Sequence, residues 1–281
     1  MAKLKTEIEL APEGVSSEEQ KEDAKIAEAI DKEMSKETTP AVREGHRESE
    51  DEERKREERK REVQNREIRL TEWQPKTELG RLVRNGKIKD INEIFKSGQK
   101  ILEAEIVDSL LDLKSDLLLV GQAKGKFGGG KRRAWRQTQR KTTEGNVATF
   151  SVVAVVGNED GYVGIGVGKA KETLPAKEKA IRKAKLNLIK VIRGCGSYDC
   201  SCEETHSIPM EVEGKCSSVR LILKPAPQGT GLVVGSEIKR ILKLAGIKDV
   251  YSKSFGQKRT TLNFAMACLD ALDKLNKTNL K

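Results

Sequence analysis

One segment leaves the chain little conformational choice. Val147 to Val156 is a β-branched, apolar run, Asn158-Glu159-Asp160-Gly161 follows as a turn signal, and Tyr162 to Val167 is apolar again. Branched side chains fit a pleated surface and the turn residues tolerate tight backbone, so the segment predicts an antiparallel hairpin. Val147–Val156 is also the longest nearly uninterrupted apolar stretch. It contains Thr149 and Ser151 and falls well short of the roughly 20 residues a membrane helix needs, so no membrane partner is expected.

Around the hairpin the periodicity changes. Ile88 to Leu113 reads as helical segments, with Leu102, Ile106, Leu110 and Leu113 at helical spacing as core-facing positions, and Leu117 to Ala123 reads as a first strand. A helix is predicted from Thr173 to about Val191, with Ile181, Ala184, Leu188 and Val191 as its apolar stripe. Farther on, Ser207–Val212 and Val219–Lys224 read as strands joined by a turn at Glu213-Gly214. Ser236 reads as the cap of a helix ending near Gly246, Asp249–Phe255 as a strand, and Thr260 or Thr261 as the start of a last helix with Cys268 in its apolar face.

Charge separates the chain in two. Residues 1–70 hold 16 Lys+Arg against 21 Asp+Glu, whereas residues 71–281 hold 38 against 23. The first part ends in EDEERKREERKRE and lacks sustained apolar periodicity, so a solvated single helix and disorder are both open readings. In the second part, Gln122 to Thr143 carries Lys124, Lys126, Lys131, Arg132, Arg133, Arg136, Arg140 and Lys141 with no acidic residue. Glycines at 128–130 permit close approach to phosphate, and Trp135 supplies a stacking surface among cations. A tethered basic loop of this kind suits RNA. About six phosphate contacts would give a salt slope near −5.

GIGVGKA (164–170) invites a nucleotide-loop reading but lacks its chemistry. Val163 and Ala170 stand where a Walker A loop needs Gly and Ser or Thr, and Lys169 replaces the last glycine of a GxGxxG pattern. The segment reads instead as a glycine-rich strand edge with Lys169 and Lys171 touching phosphate. Arg182 and Lys183, projecting from the following helix, join the expected RNA-binding set.

Cys195, Cys200, Cys202 and His206 offer four soft or borderline ligands within twelve residues, and Cys216 stands by as a substitute. Tetrahedral structural zinc and a reduced linker with a locally bonded histidine are both open. With five cysteines, complete pairing is impossible, so reduced thiols in the cytoplasm are expected. With only His46 and His206 available, no histidine-based catalytic site assembles, and the chain reads as a non-enzyme.

The segments VVAVVGNEDGYVGIGVGKAKE (152–172), KAIRKAKLNLIKVIRGCGS (179–197), LKPAPQGTGLVVG (223–235) and LAGIKDVYSKSFG (244–256), in this order, closely resemble the universal small-subunit ribosomal protein five family. The cysteine segment resembles its archaeal branch, whose eukaryotic counterpart is small-subunit protein two. The resemblance implies an α+β fold: a double-stranded-RNA-binding-like αβββα domain followed by a second α/β two-layer domain. The expected divisions are a charged extension (1–70), a helical lead-in (71–114), the RNA-binding-like domain (115–194), a Cys/His linker (195–206) and the C-terminal domain (207–281). It further implies a cytoplasmic ribosomal constituent with no required cofactor beside the zinc in question. Its partners would be small-subunit ribosomal RNA, neighbouring proteins of families three and four, and messenger RNA near the entrance channel, with roles in subunit assembly and decoding accuracy. A free double-stranded-RNA-binding regulator is the alternative.

Overall fold

The computed structural model describes residues 70–122, 132–202 and 204–278. The expected extension therefore lies almost wholly outside the described residues, as do Lys124, Lys126, Lys131 and the glycine run. Among the described residues no helix is long and apolar enough to cross a membrane.

Three short helices open the structure: α1 (Glu78–Arg84), α2 (Ile91–Ser97) and α3 (Ala104–Leu110). Glu103 ties them to the chain before α1. Its carboxylate accepts from the Thr77 amide at 2.7 Å, the Lys76 amide at 2.9 Å and the Trp73 indole at 2.8 Å. Burial raises the Glu103 pKa, but these donors outweigh it and leave the carboxyl below its ordinary value of 4.5. Leu79, Val83, Ile91, Ile94, Ile106 and Val107 bury together against Tyr162 and Leu188. Leu102 is not part of this core. It precedes the first turn of α3 and is 68% exposed, because the helix begins only after Glu103.

A five-stranded antiparallel sheet follows: β1 (Lys114–Leu117), β2 (Trp135–Thr142), β3 (Gly145–Gly157), β4 (Tyr162–Ala170) and β5 (Leu188–Lys190), with α4 (Thr173–Leu186) between the last two. The expected β3–β4 hairpin is present. β1 and β2 share one edge of β3, β1 pairing residues 154–157 and β2 residues 145–152. The first strand thus lies earlier than Leu117–Ala123, and Trp135–Thr142 of the basic segment, expected as loop, is strand. WRQTQRKT shows no apolar alternation because all eight positions are exposed, so the ladder to β3 alone specifies it as strand.

The helix before β5 also stops sooner than its periodicity suggests. The Asn187 amide closes α4 on the Lys183 and Ala184 carbonyls, and Leu188–Lys190 then pairs with Tyr162–Gly164. Leu188 and Val191 are buried from outside the helix, while α4 itself buries Ala176, Ala180 and Ala184. The reason is backbone proximity. A Cβ at Gly164 would lie 2.3 Å from the Ala184 carbonyl oxygen, one at Gly166 would lie 2.2 Å from the Ala180 oxygen, and one at Gly168 would lie 2.1 Å from the Ala176 oxygen. The alternating glycines of β4 and the alanines of α4 form one seam in which helix rests directly on sheet. This explains GIGVGKA as packing.

The second sheet has the order β6-β7-β9-β8, comprising β6 (Val212–Cys216), β7 (Val219–Pro225), β8 (Leu232–Val233) and β9 (Val250–Phe255), with β8 parallel to β9. Helices α5 (Ser236–Leu244) and α6 (Thr261–Thr278) complete it. The turn at Glu213-Gly214 does not exist. Gly214 lies inside β6, where an added Cβ would meet the Ala267 oxygen of α6 at 2.0 Å, and the reversal falls at Ser217, with φ of 55°. Gly235, not Ser236, occupies the N-cap of α5. Cys268 is fully buried in α6, and burial pushes its thiol up to about 12.

The two sheets share an interior. Val153, Val155, Val163 and Ile165 of the first, with Leu118 next to β1, join Leu221 and Leu223 of the second, Ile238, Ile241 and Leu242 of α5 and Leu272 of α6 in one apolar cluster. Each such aliphatic side chain contributes about 1.5–3 kcal/mol on burial. The β3–β4 turn adds polar contacts: the Glu159 and Gly161 amides donate to the Leu244 and Ala245 carbonyls at 2.8 and 3.2 Å, satisfying the C-terminal end of α5. Arg240 of α5 donates to the Leu117 carbonyl at 2.7 Å.

Candidate nucleic-acid interface and metal centre

Of the expected cations, Arg132, Arg133 and Arg136 converge with Arg259, from the chain between β9 and α6, on an open cleft of about 960 Å³ that Gln122 and Trp135 also line. Two strands of chain meet at its base. The Gly121 amide donates to the Arg133 carbonyl at 2.8 Å, and a Cβ at Gly121 would lie 2.2 Å from the Trp135 oxygen. Glycine at 121 thereby lets the incoming chain cross the start of β2. Trp135 is 38% exposed, which leaves a face for stacking. Arg259 escaped the sequence reading. Its signal was the Lys258-Arg259 pair before α6, too short a run to stand out from any solvated charge.

Beyond the cleft, β2 and the first part of β3 form a two-stranded arm. Residues 145–149 of β3 pair with β2 alone, since β4 joins only from Phe150. Arg140 and Lys141 ride on this arm. The register also sets Arg136 and Lys169 on either side of Ser151, so the two cations stand in one cross-strand row. Lys171 is exposed just past β4, and Lys183 is exposed on α4. Arg182, although 65% exposed, pairs with Glu105 of α3 at 3.6 Å, so part of its charge is already matched.

The ligand atoms of Cys195, Cys200, Cys202 and His206 all lie within 4.8 Å of one another. Tetrahedral zinc with Zn–S near 2.3 Å sets neighbouring ligands about 3.8 Å apart. Cys200 Sγ and His206 Nε2 are 3.7 Å apart, while Cys200 and Cys202 sulfurs approach to 2.9 Å as a thiol–thiol hydrogen bond. Hydrogen bonds from the Cys202 thiol, then from the Gln228 and Cys202 amides, bring the Cys200 thiol down to about 6, and the same pairing raises Cys202 to about 11. His206 is buried, and its Nδ1 lies 2.8 Å from Oδ2 of buried Asp249. A carboxylate only accepts, so Nδ1 is the donor to Asp249 and Nε2 is the ring nitrogen left facing the Cys200 sulfur. Carboxylate, histidine and thiols thus stand in the arrangement in which histidine ligates metal. Cys216 lies in β6 and is not among the clustered ligands.

Comparison with known proteins agrees with this architecture. The family description "Ribosomal protein S5, N-terminal domain" matches residues 134–192, and "Ribosomal protein S5, C-terminal domain" matches residues 214–279. The small ribosomal subunit protein uS5 of Nanoarchaeum equitans is 51% identical over 213 residues, 75% of this chain and 91% of that relative. The uS5 of Pyrobaculum islandicum is 52% identical over 204 residues (72% and 94%), and that of Methanobrevibacter smithii is 50% identical over 208 (74% and 91%). With half of the aligned residues identical along nearly the whole length of such relatives, the chain belongs to the ribosomal protein S5 family, a structural and non-enzymatic one.

Proposed function

We propose that this chain, a structural constituent of the small subunit of the cytoplasmic ribosome by its family, docks on ribosomal RNA through the cleft of Arg132, Arg133, Trp135, Arg136 and Arg259. The observation that carries this reading is convergence: cations at and just before β2 and one from the chain just before α6 surround one opening beside an exposed indole. The arginines release counterions from phosphates, and Trp135 stacks on a splayed base. The β2–β3 arm, with Arg140 and Lys141, continues along the backbone, with Lys169 and Lys171 beside it and Lys183 on α4. Lys124, Lys126 and Lys131 extend the same basic segment in sequence. RNA recognition is by shape and phosphate spacing, because A-form helices expose little sequence to side chains.

The modules 115–194 and 207–281 act as one binding body in this reading, with the helical lead-in buttressing the first and the Cys/His segment 195–206 joining them. Neighbouring proteins of families three and four and messenger RNA near the entrance channel are the further partners, and support of assembly and decoding accuracy is the consequence. Cys195, Cys200, Cys202 and His206 hold a structural zinc. Four protein ligands fill a tetrahedral shell and leave no position for a reactive water.

Replacing Arg132, Arg133, Arg136 and Arg259 together by Ala tests the reading. The variant protein, tagged and followed through a sucrose gradient, is expected to leave the small-subunit peak and run free. Undiminished incorporation would remove the cleft from the interface. Wild-type protein sedimenting free or with messenger RNA would favour the regulator instead.

A further inference from the structure

We infer that the metal anchors the loop from Pro225 to Gly231, with Asp249 as the positioning residue between loop and ligand; this rests on the zinc reading above. The loop joins β7 to β8, and Gly229 and Gly231 both adopt positive φ, at 87° and 74°. Several of its outward bonds run to the immediate supports of the metal cluster, beside that of Gln228 Nε2 to Glu204 Oε2 at 3.4 Å and that of the Val250 amide to the Gly231 carbonyl at 3.2 Å. The Gly231 amide donates to Asp249 Oδ1 at 2.7 Å, while the other oxygen of that carboxylate holds His206 Nδ1. The Ala226 amide donates to the hydroxyl of Ser207, the residue after His206, at 3.3 Å, and that hydroxyl donates to the Asp249 carbonyl at 2.6 Å.

Metal strengthens this chain of contacts. Coordination through Nε2 would fix Nδ1 as the donor to Asp249 and so keep that carboxylate oriented toward the Gly231 amide. By linkage, a loop that holds its acceptors in place raises metal affinity by the same factor. The bonds on the far side of the ligands therefore give this centre a task besides closing the linker: it sets the conformation of a Pro/Gly loop in the C-terminal module whose tip, Gln228-Gly229, is exposed.

Amide hydrogen exchange on the full chain tests this, alongside zinc content by elemental analysis. Removing metal with a chelator is expected to speed exchange at Gly231 at least tenfold while β7 and α6 stay protected. Asp249→Asn offers one acceptor oxygen where two donors need one each. It is expected to weaken zinc binding about 10- to 100-fold and, at saturating zinc, to speed exchange at Gly231 with β7 unchanged. Should metal removal open the whole chain, the Asp249→Asn protein at saturating zinc decides the matter by itself. Stoichiometric zinc with unchanged loop exchange on its removal, or an Asp249→Asn loop as protected as wild type, overturns the anchor and leaves the zinc site standing. Protein that neither retains nor takes up zinc overturns both.

Discussion

Gly166→Ala is the sharpest test of the idea that GIGVGKA exists for packing. The new Cβ would stand 2.2 Å from the Ala180 carbonyl oxygen and 2.2 Å from the Ala184 nitrogen. An ordinary contact needs about 3.4 Å, so α4 must lift by roughly 1 Å along the seam, and gaps of that size forfeit a quarter to a half of each dispersion contact they open. Overpacking of this kind costs about 1–3 kcal/mol. Because backbone atoms are struck, no rotamer change relieves the clash and the upper end is expected. Ala180→Gly should not rescue the variant, since it removes a methyl group and leaves the offending oxygen in place. Gly194→Ala is the control: its Cβ would meet nothing nearer than Pro209 at 3.4 Å, and the change should move stability by less than about 1 kcal/mol. Urea unfolding followed by circular dichroism supplies the comparison. A Gly166→Ala midpoint equal to wild type would refute the seam. Loss of nucleotide binding with unchanged stability would return the segment to the phosphate-loop class.

Three further outcomes follow from the same structure. The Glu103 carboxyl is held low by its donors despite burial, so its stabilisation is complete above the ordinary carboxylate range and is lost as pH falls through the lowered value. Glu103→Gln should cost about 1–3 kcal/mol near neutral pH and flatten the acid limb of a Trp73 fluorescence titration, and an unchanged limb would dismiss the network. In a thiol-reagent assay on metal-free native protein, Cys268 should stay silent until unfolding, because it is fully buried and its thiol is raised to about 12, whereas Cys195, Cys200, Cys202 and Cys216 are only partly covered. The quadruple arginine variant of the cleft should flatten the salt dependence of binding to a ribosomal RNA fragment by about 3 to 4 in log–log slope, and a slope like that of wild type would mean these side chains do not touch phosphate.

What the sequence disclosed and what it hid divide along physical lines. The β3–β4 hairpin was legible because its paired segments are continuous apolar runs buried on both faces and the turn chemistry is local. β2 was not, because a strand exposed on both faces carries no alternation and is specified only by its partner. Gly214 misled for a related reason: a glycine in a turn and a glycine under a crossing helix look alike until α6 is in place. The early stop of α4 has the same origin, since Leu188 and Val191 keep helical spacing while pairing with β4 takes Leu188 out of the helix. At the candidate sites, the four candidate metal ligands sit within twelve residues and were visible as a group. Asp249, 43 residues beyond His206, became part of that group only through folding.

The position of Arg259 follows from the shared interior. Were the two sheets separate bodies, an arginine before α6 would have no fixed place relative to Trp135. Leu118, next to β1, and Leu272 of α6 belong to the same apolar cluster, and Arg240 of α5 grips the Leu117 carbonyl. The core thus extends from the chain leading into the cleft to the helix that carries Arg259 toward it. Charge placement at the surface is therefore set by apolar burial well beneath it. A core substitution such as Leu272→Ala, expected to cost about 2–5 kcal/mol, should weaken RNA binding even where the chain stays folded, because it loosens one wall of the cleft against the other. Wild-type affinity in a folded Leu272→Ala protein would show that the two walls bind independently.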